Sequence, residues 1–328
     1  MKKLLGLIAV LMLALVLVAC GSDTSETEAE SANGGSDEGT SGDKYKVGIL
    51  APAVTHGWVA AVAYHAEERA KELSDEIEYQ IHTSTDANEM TSQLDDLKTW
   101  GAEVIVAFPQ WEGMEVPIQQ ALDEGIEVVN LDIVIDVDGV YRVAGDNYDM
   151  GVQGAKYIVD KIGTEGEVVV LEVPSAGSVS ELRTAGFMDT IAEIAPDLNI
   201  HTYATQFTRE DGLSDFADIL TSLDQIDAVY SLDDETSIGV LQAISEAGRD
   251  DIQVVTGGGG MQEYFEMMPG NEDIWIQSAL YSPAMVKDAV DVAVDLLKGN
   301  TVEDDTIIPT TVVDRDNYEE FIDSGSPY

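Results

Sequence analysis

The sequence predicts an α/β protein made of two parallel sheets, each with helices on both faces. Three observations carry that reading. Short β-branched runs alternate with amphipathic stretches, the alternation restarts halfway along, and about 285 residues lie beyond residue 43, more than a single core usually organises.

Taken in order, the chain opens on Met1-Lys2-Lys3 and an apolar run from Leu4 to Ala19. Its sixteen residues fall short of the roughly 20 that a membrane-spanning helix needs. Two lysines before it and small residues at its end mark residues 1–19 as an export signal that is removed. Leu17-Val18-Ala19-Cys20 followed by Gly21 resembles the lipobox of bacterial lipoproteins, which implies that Cys20 becomes the diacylated first residue of the mature protein. Cys20 is the only cysteine, so neither a disulfide framework nor a thiolate metal site can be built. Residues 20–43 are rich in Ser, Thr, Gly, Glu and Asp and hold no aromatic residue, which predicts a flexible acidic linker.

Strand-like runs then follow at 46–50, 78–82, 104–108, 128–132 and 141–144. Between them, 58–73 and 90–100 have helical period, the second through Met90, Leu94 and Leu97. A third helix is expected to begin near Pro117, a residue suited to a first helical turn. The second series places strands at 168–171, 200–203, 228–232, 254–255 and 274–280, with helices at 180–194, 211–223, 235–247 and 283–298.

Charge narrows the partners. With 16 Lys and Arg against 63 Asp and Glu, the net is −47, and loss of Lys2 and Lys3 with the signal makes it −49. Nucleic acid is excluded, because phosphate binding needs clustered cations, and an acidic ligand is repelled at long range. So large an excess fits a high-salt or alkaline habitat, and equally an acidic exported protein from an ordinary one.

Ligands of an open α/β sheet bind beyond the carboxyl ends of its strands. There the sequence places His56, Trp58, Gln110, Trp111, Asp132, Asp146, Asn147, Arg183, Asp233, Gly258 and Tyr281. Aromatic faces, carboxylates, amides and one arginine suit a neutral polyhydroxylated molecule, whose hydroxyls need hydrogen bonds and whose C–H faces need flat partners. His56 has no partner at ligand spacing, so no metal is expected. The run Gly257-Gly258-Gly259-Gly260 lacks the lysine of a phosphate loop and the spacing of a dinucleotide fingerprint. No nucleophile elbow and no Cys, His and Asp set is present, so neither catalysis nor a cofactor is expected.

At these positions the chain resembles the ribose-binding-like, type I periplasmic sugar-binding proteins of bacterial ABC importers. The resemblance spans Lys46 to about Val313 and is carried by Lys46-Val47-Gly48-Ile49-Leu50, Thr55-His56-Gly57-Trp58, Asn130-Leu131-Asp132, Ser180 to Phe187, Tyr230 to Thr236 and Val254 to Gly257 in family order. It implies two Rossmann-like lobes joined by a three-crossing hinge: an N-terminal lobe of 44–146 plus 281–304 and a C-terminal lobe of 147–280 plus 305–328. The crossings are implied near Asp146 and Asn147, near Ala279 to Ser282, and at 304–308.

The resemblance also implies roles. Trp58 takes the stacking position and His56 that of a hydrogen-bonding asparagine, while Asp132 accepts ligand hydroxyls. Arg183 lies on the ligand; in a chain so poor in cations it is also expected to pair with Asp132 or Asp233 across the cleft when the lobes close. Asp233 faces the cleft, with Asp234 or Glu235 capping the next helix. Gly258 replaces a common aspartate, Ala279 the hinge-side glutamine and Val59 a second stacking aromatic; Gln110, Trp111 and Tyr281 are placed to compensate. The implied protein is a monomeric receptor, lipid-anchored on the outer face of the cell membrane, extracellular in a Gram-positive-type cell and periplasmic otherwise. It closes on a small neutral sugar or polyol and delivers it to an ABC permease with cytoplasmic ATPases. Two alternatives are a sensor signalling to a chemoreceptor or sensor kinase, and a lipid-anchored hydrolase on the same fold.

Overall fold

The computed structural model describes residues 44–53 and 57–328. The signal, Cys20, the linker and His56 lie outside the described residues. In the first half β1 (Tyr45–Pro52), α1 (Gly57–Glu72), β2 (Ile77–Ser84), α2 (Ala87–Trp100), β3 (Val104–Ala107), α3 (Glu115–Asp123), β4 (Glu127–Leu131) and β5 (Tyr141–Gly145) alternate as expected. Helices on both faces bury β3 throughout, which is why it reads as an unbroken apolar run. In α2, Met90, Leu94 and Leu97 are the buried stripe; Asp86 caps its start and Gly101, at φ 88°, its end.

The second half holds α4 (Asn147–Ile162), β6 (Gly166–Glu172), α5 (Ser178–Ile194), β7 (Leu198–Ala204), α6 (Arg209–Ser222), β8 (Ala228–Tyr230), α7 (Asp234–Ala247), β9 (Val254–Gly258), α8 (Gln262–Met267) and β10 (Trp275–Leu280). The chain then returns through α9 (Val286–Leu297) and β11 (Asp305–Ile308), and ends its strands with β12 (Thr311–Asp314). Strand order is β11-β5-β4-β3-β1-β2 in one sheet and β12-β10-β9-β8-β6-β7 in the other. All pairings are parallel except that of β10 with β12. Two α/β lobes result, each with its own apolar cores.

The chain passes from one sheet to the other between β5 and α4 at Asp146 and Asn147, and returns after β10 at Tyr281 and Ser282. Ala279 is two residues earlier, inside β10 and paired with Gly258 and Val312. The third crossing differs from the boundary at 304: β11 pairs with β5, so residues 305–308 belong to the first sheet and the chain crosses between Ile308 and Thr311. The short runs of β11 and β12 carry too little period to be read as strands. Helix α4 was also not among the expected elements; its cap Asp146 accepts from the Asp149 N–H, a local signal present in the sequence.

Candidate functional site

Helices α4 and α5 pack closely because two glycines meet there. A Cβ on Gly151 would lie 2.1 Å from the Arg183 carbonyl, and one on Gly186 would lie 2.0 Å from that of Tyr148. This approach sets Arg183 beside Asn147, the first residue after the first crossing. Arg183 Nε donates to Asn147 Oδ1 at 2.8 Å and Nη1 to the Leu232 carbonyl at 2.7 Å. Asn147 Nδ2 in turn donates to the Tyr281 hydroxyl at 3.1 Å, and that hydroxyl donates to Asp132 Oδ1. The guanidinium also lies over the Tyr281 ring, 4.7 Å from its centroid.

A buried polar relay therefore runs from Asp132 through Tyr281 and Asn147 to Arg183, touching both lobes and the first two crossings. Among the described residues Arg183 makes no salt bridge with Asp132 or Asp233; it is linked to Asp132 through Asn147 and Tyr281 instead. Asp132 has φ 69°, the one described non-glycine residue in the left-handed region, which turns it out of line at the end of β4. Burial raises the Asp132 pKa, against the Tyr281 hydrogen bond and the charges of Arg183 and Arg142, which lower it. Gly145 admits the Tyr281 ring, since a Cβ there would sit 2.3 Å from it.

Between the lobes lies a cavity of about 800 Å³, lined by Trp58, Gln110, Trp111, Asp132, Arg183, Asp233, Gly258 and Tyr281 among others. Every described residue expected at the ligand is thus in one cleft; His56 is outside the described residues. Trp58 donates its indole N–H to the Tyr281 carbonyl at 2.7 Å and meets Phe108 edge-on at 5.9 Å. Its nitrogen is committed to the crossing, which leaves the ring as its contribution to the cavity.

The helix cap differs from expectation. Asp233, not Asp234 or Glu235, accepts the Thr236 N–H as N-cap of α7, while also lining the cavity. Burial, helped by the neighbouring Asp234 charge, pushes Asp233 up to about 7. Asp234 is fully buried, and one of its oxygens accepts from the N–H groups of Gly260 and Met261 and from Ser278 Oγ, each at 2.9 Å. Burial raises it to about 6 against those three donors. The glycine run serves this latch: a Cβ on Gly257 would meet Asp234 Oδ1 at 2.4 Å, and one on Gly258 would meet Met150 at 2.5 Å. Asn147 as a relay member, Asp234 as a loop anchor and Tyr328 as a cavity wall carry no local signal, since each depends on contacts with residues distant in sequence: 134 positions for Asn147 with Tyr281, and 26 or more for Asp234 with the glycine loop. Among the described residues there is no cluster of potential metal ligands.

The chain is similar to known proteins over most of this body. It is 27% identical to the D-allose-binding periplasmic protein of Escherichia coli over 219 residues, 63% of this chain and 70% of that one. It is also 27% identical to the ribose import binding protein of Bacillus subtilis over 254 residues, covering 76% and 79%. Among solved structures, a periplasmic solute-binding protein of an ABC transporter from Actinobacillus succinogenes with bound D-allose superposes with a TM-score of 0.77 at 21% identity, over 84% of this chain and all of that one. The model of the periplasmic binding protein domain matches residues 47–301, well over half of the sequence, and the chain belongs to that family.

Proposed function

We propose that the protein is a solute receptor of ABC-importer type that closes its two lobes on a small neutral sugar or polyol and hands it to a membrane permease. The observation that carries this is the cleft itself: aromatic faces and carboxylates from both lobes converge on one cavity whose floor is the hinge relay. A ligand touching Trp58, Trp111 and Asp132 from one lobe and Arg183, Asp233 and Gly258 from the other stabilises the closed state, because only there does it reach both. The names of the relatives support a sugar as cargo. Carboxylates outnumber cations in the cleft, which favours a neutral solute over a sugar acid or phosphate. Diacylation at Cys20, followed by the acidic linker, would hold the receptor at the outer membrane face near its permease, two acyl chains anchoring firmly where one does not.

The test is a thermal-shift screen of the purified full chain against aldoses, linear polyols and cyclic polyols, followed by calorimetry on any hit. A neutral polyol that raises the melting temperature with one-to-one stoichiometry, and loses affinity with Trp58→Ala or Asp132→Ala, is the expected result. Stabilisation only by anions, or turnover of a glycoside, overturns the reading.

A further inference from the structure

One wall of the cavity comes from a part of the chain to which no binding motif points. After β12 the chain stays with the second lobe: Asn317 Oδ1 accepts the Asp314 N–H, Tyr318 and Phe321 pack on its core, and Gln262 Oε1 accepts the Asp323 N–H. Tyr328 then inserts into the core of the first lobe and lines the cavity beside Trp58 and Asp233. Its ring is 5% exposed, and two glycines, one from each lobe, make room for it. A Cβ on Gly57 would lie 3.0 Å from the ring, and one on Gly259 would lie 2.7 Å from the hydroxyl. Gly259 has φ 131°, so no other residue would take its place without strain. Tyr328 is itself one of the residues lining the cavity, and its hydroxyl has no protein partner among the described residues.

We infer that Tyr328 is a selectivity-determining residue of the cleft, presenting its hydroxyl to one hydroxyl of a bound polyol. This rests on the polyol reading proposed above. The phenol is fixed in place before the ligand arrives, and a fixed hydrogen-bonding group discriminates strongly against an analogue that lacks the matching hydroxyl. Burial and the charges of Asp234, Asp233 and Glu235 hold its pKa well above the ordinary tyrosine value, keeping it a neutral group able both to donate and to accept. It also supplies an aromatic wall in a cleft where Val59 stands at the second stacking position.

The experiment measures dissociation constants for the full chain and for Tyr328→Phe and Tyr328→Ala, using the best polyol from the screen together with its epimers and monodeoxy analogues. Tyr328→Phe should weaken the best ligand about 5- to 30-fold. One monodeoxy analogue should be bound equally by both proteins, which shrinks the preference ratio by the same factor. A role in packing alone would leave that ratio unchanged, and such a result overturns the inference while the polyol reading stands. Tyr328→Ala should lose the ratio too and bind more weakly still; a retained ratio there refutes the inference as well. If the unsubstituted chain binds no polyol, the functional reading falls and this inference falls with it.

Discussion

Removing one oxygen from the relay tests whether it holds the lobes together. In Tyr281→Phe the ring keeps its place over Gly145 and under Arg183, but Asp132 loses its donor and the Asn147 amide its acceptor. Both residues are buried, at 6% and 3% exposure, so water replaces the lost partner poorly. A hydrogen bond to a charged group together with a neutral one amounts to about 2–4 kcal/mol when the partners are left unpaired. Spread over about 285 ordered residues, that lowers the melting temperature by about 3–7 °C. The loss should also grow with pH. The Tyr281 bond is the largest influence lowering the Asp132 pKa, so without it the carboxyl is more easily protonated and less penalised in acid. Melting curves at pH 5 and pH 8 read both effects. A double-mutant cycle with Asp132→Asn completes the test, since linked members of one relay must not add. Strict additivity, or a change below about 1 °C at both pH values, refutes the relay as a unit.

Three further outcomes follow from the same geometry. Asp233 and Asp234 hold protons in the folded state up to about 7 and about 6, whereas unfolded carboxylates lose theirs near 4. The native state therefore binds more protons across that window, stability falls as pH rises from about 4 to 7, and Asp233→Asn should flatten the profile of melting temperature against pH. A polyol that donates to Asp233 favours its ionised form, so binding should tighten through pH 7 and release a proton, read by calorimetry in buffers of different ionisation enthalpy. Gly186→Ala drives a Cβ into the Tyr148 backbone, which cannot yield as a side-chain tip would; chemical denaturation should show a loss of at least about 2 kcal/mol, with weakened ligand binding as Arg183 leaves Asn147. Arg183→Lys keeps the charge but cannot reach both Asn147 and the Leu232 carbonyl, and a binding isotherm should show affinity reduced about tenfold or more.

Several residues of the cleft were legible in the sequence because they sit just beyond a strand, and strands announce themselves locally: four buried apolar residues at Val104–Ala107 are enough to point at Gln110 and Trp111. What joins those residues was not legible. Asp132 and Tyr281 are 149 positions apart, and their bond exists only because the second crossing returns the chain beneath β4. The same holds for the cap of α7. Three consecutive acidic residues, Asp233, Asp234 and Glu235, are equivalent by local rules, and the choice falls to the glycine loop, which requires the middle one as its anchor.

The placement of the relay gives the hinge a chemical meaning. Tyr281 and Asn147 occupy the second and first crossings, and each makes one bond toward the cavity carboxylate Asp132 or toward Arg183. Rotation of one lobe against the other must strain or re-form these bonds, since packed cores on either side leave little freedom elsewhere. A ligand that takes over one acceptor site on Asp132 thereby acts on both crossings at once. On the proposed reading, binding and closure are a single event, because Asp132 and Arg183 both line the cavity and belong to the relay that joins the lobes.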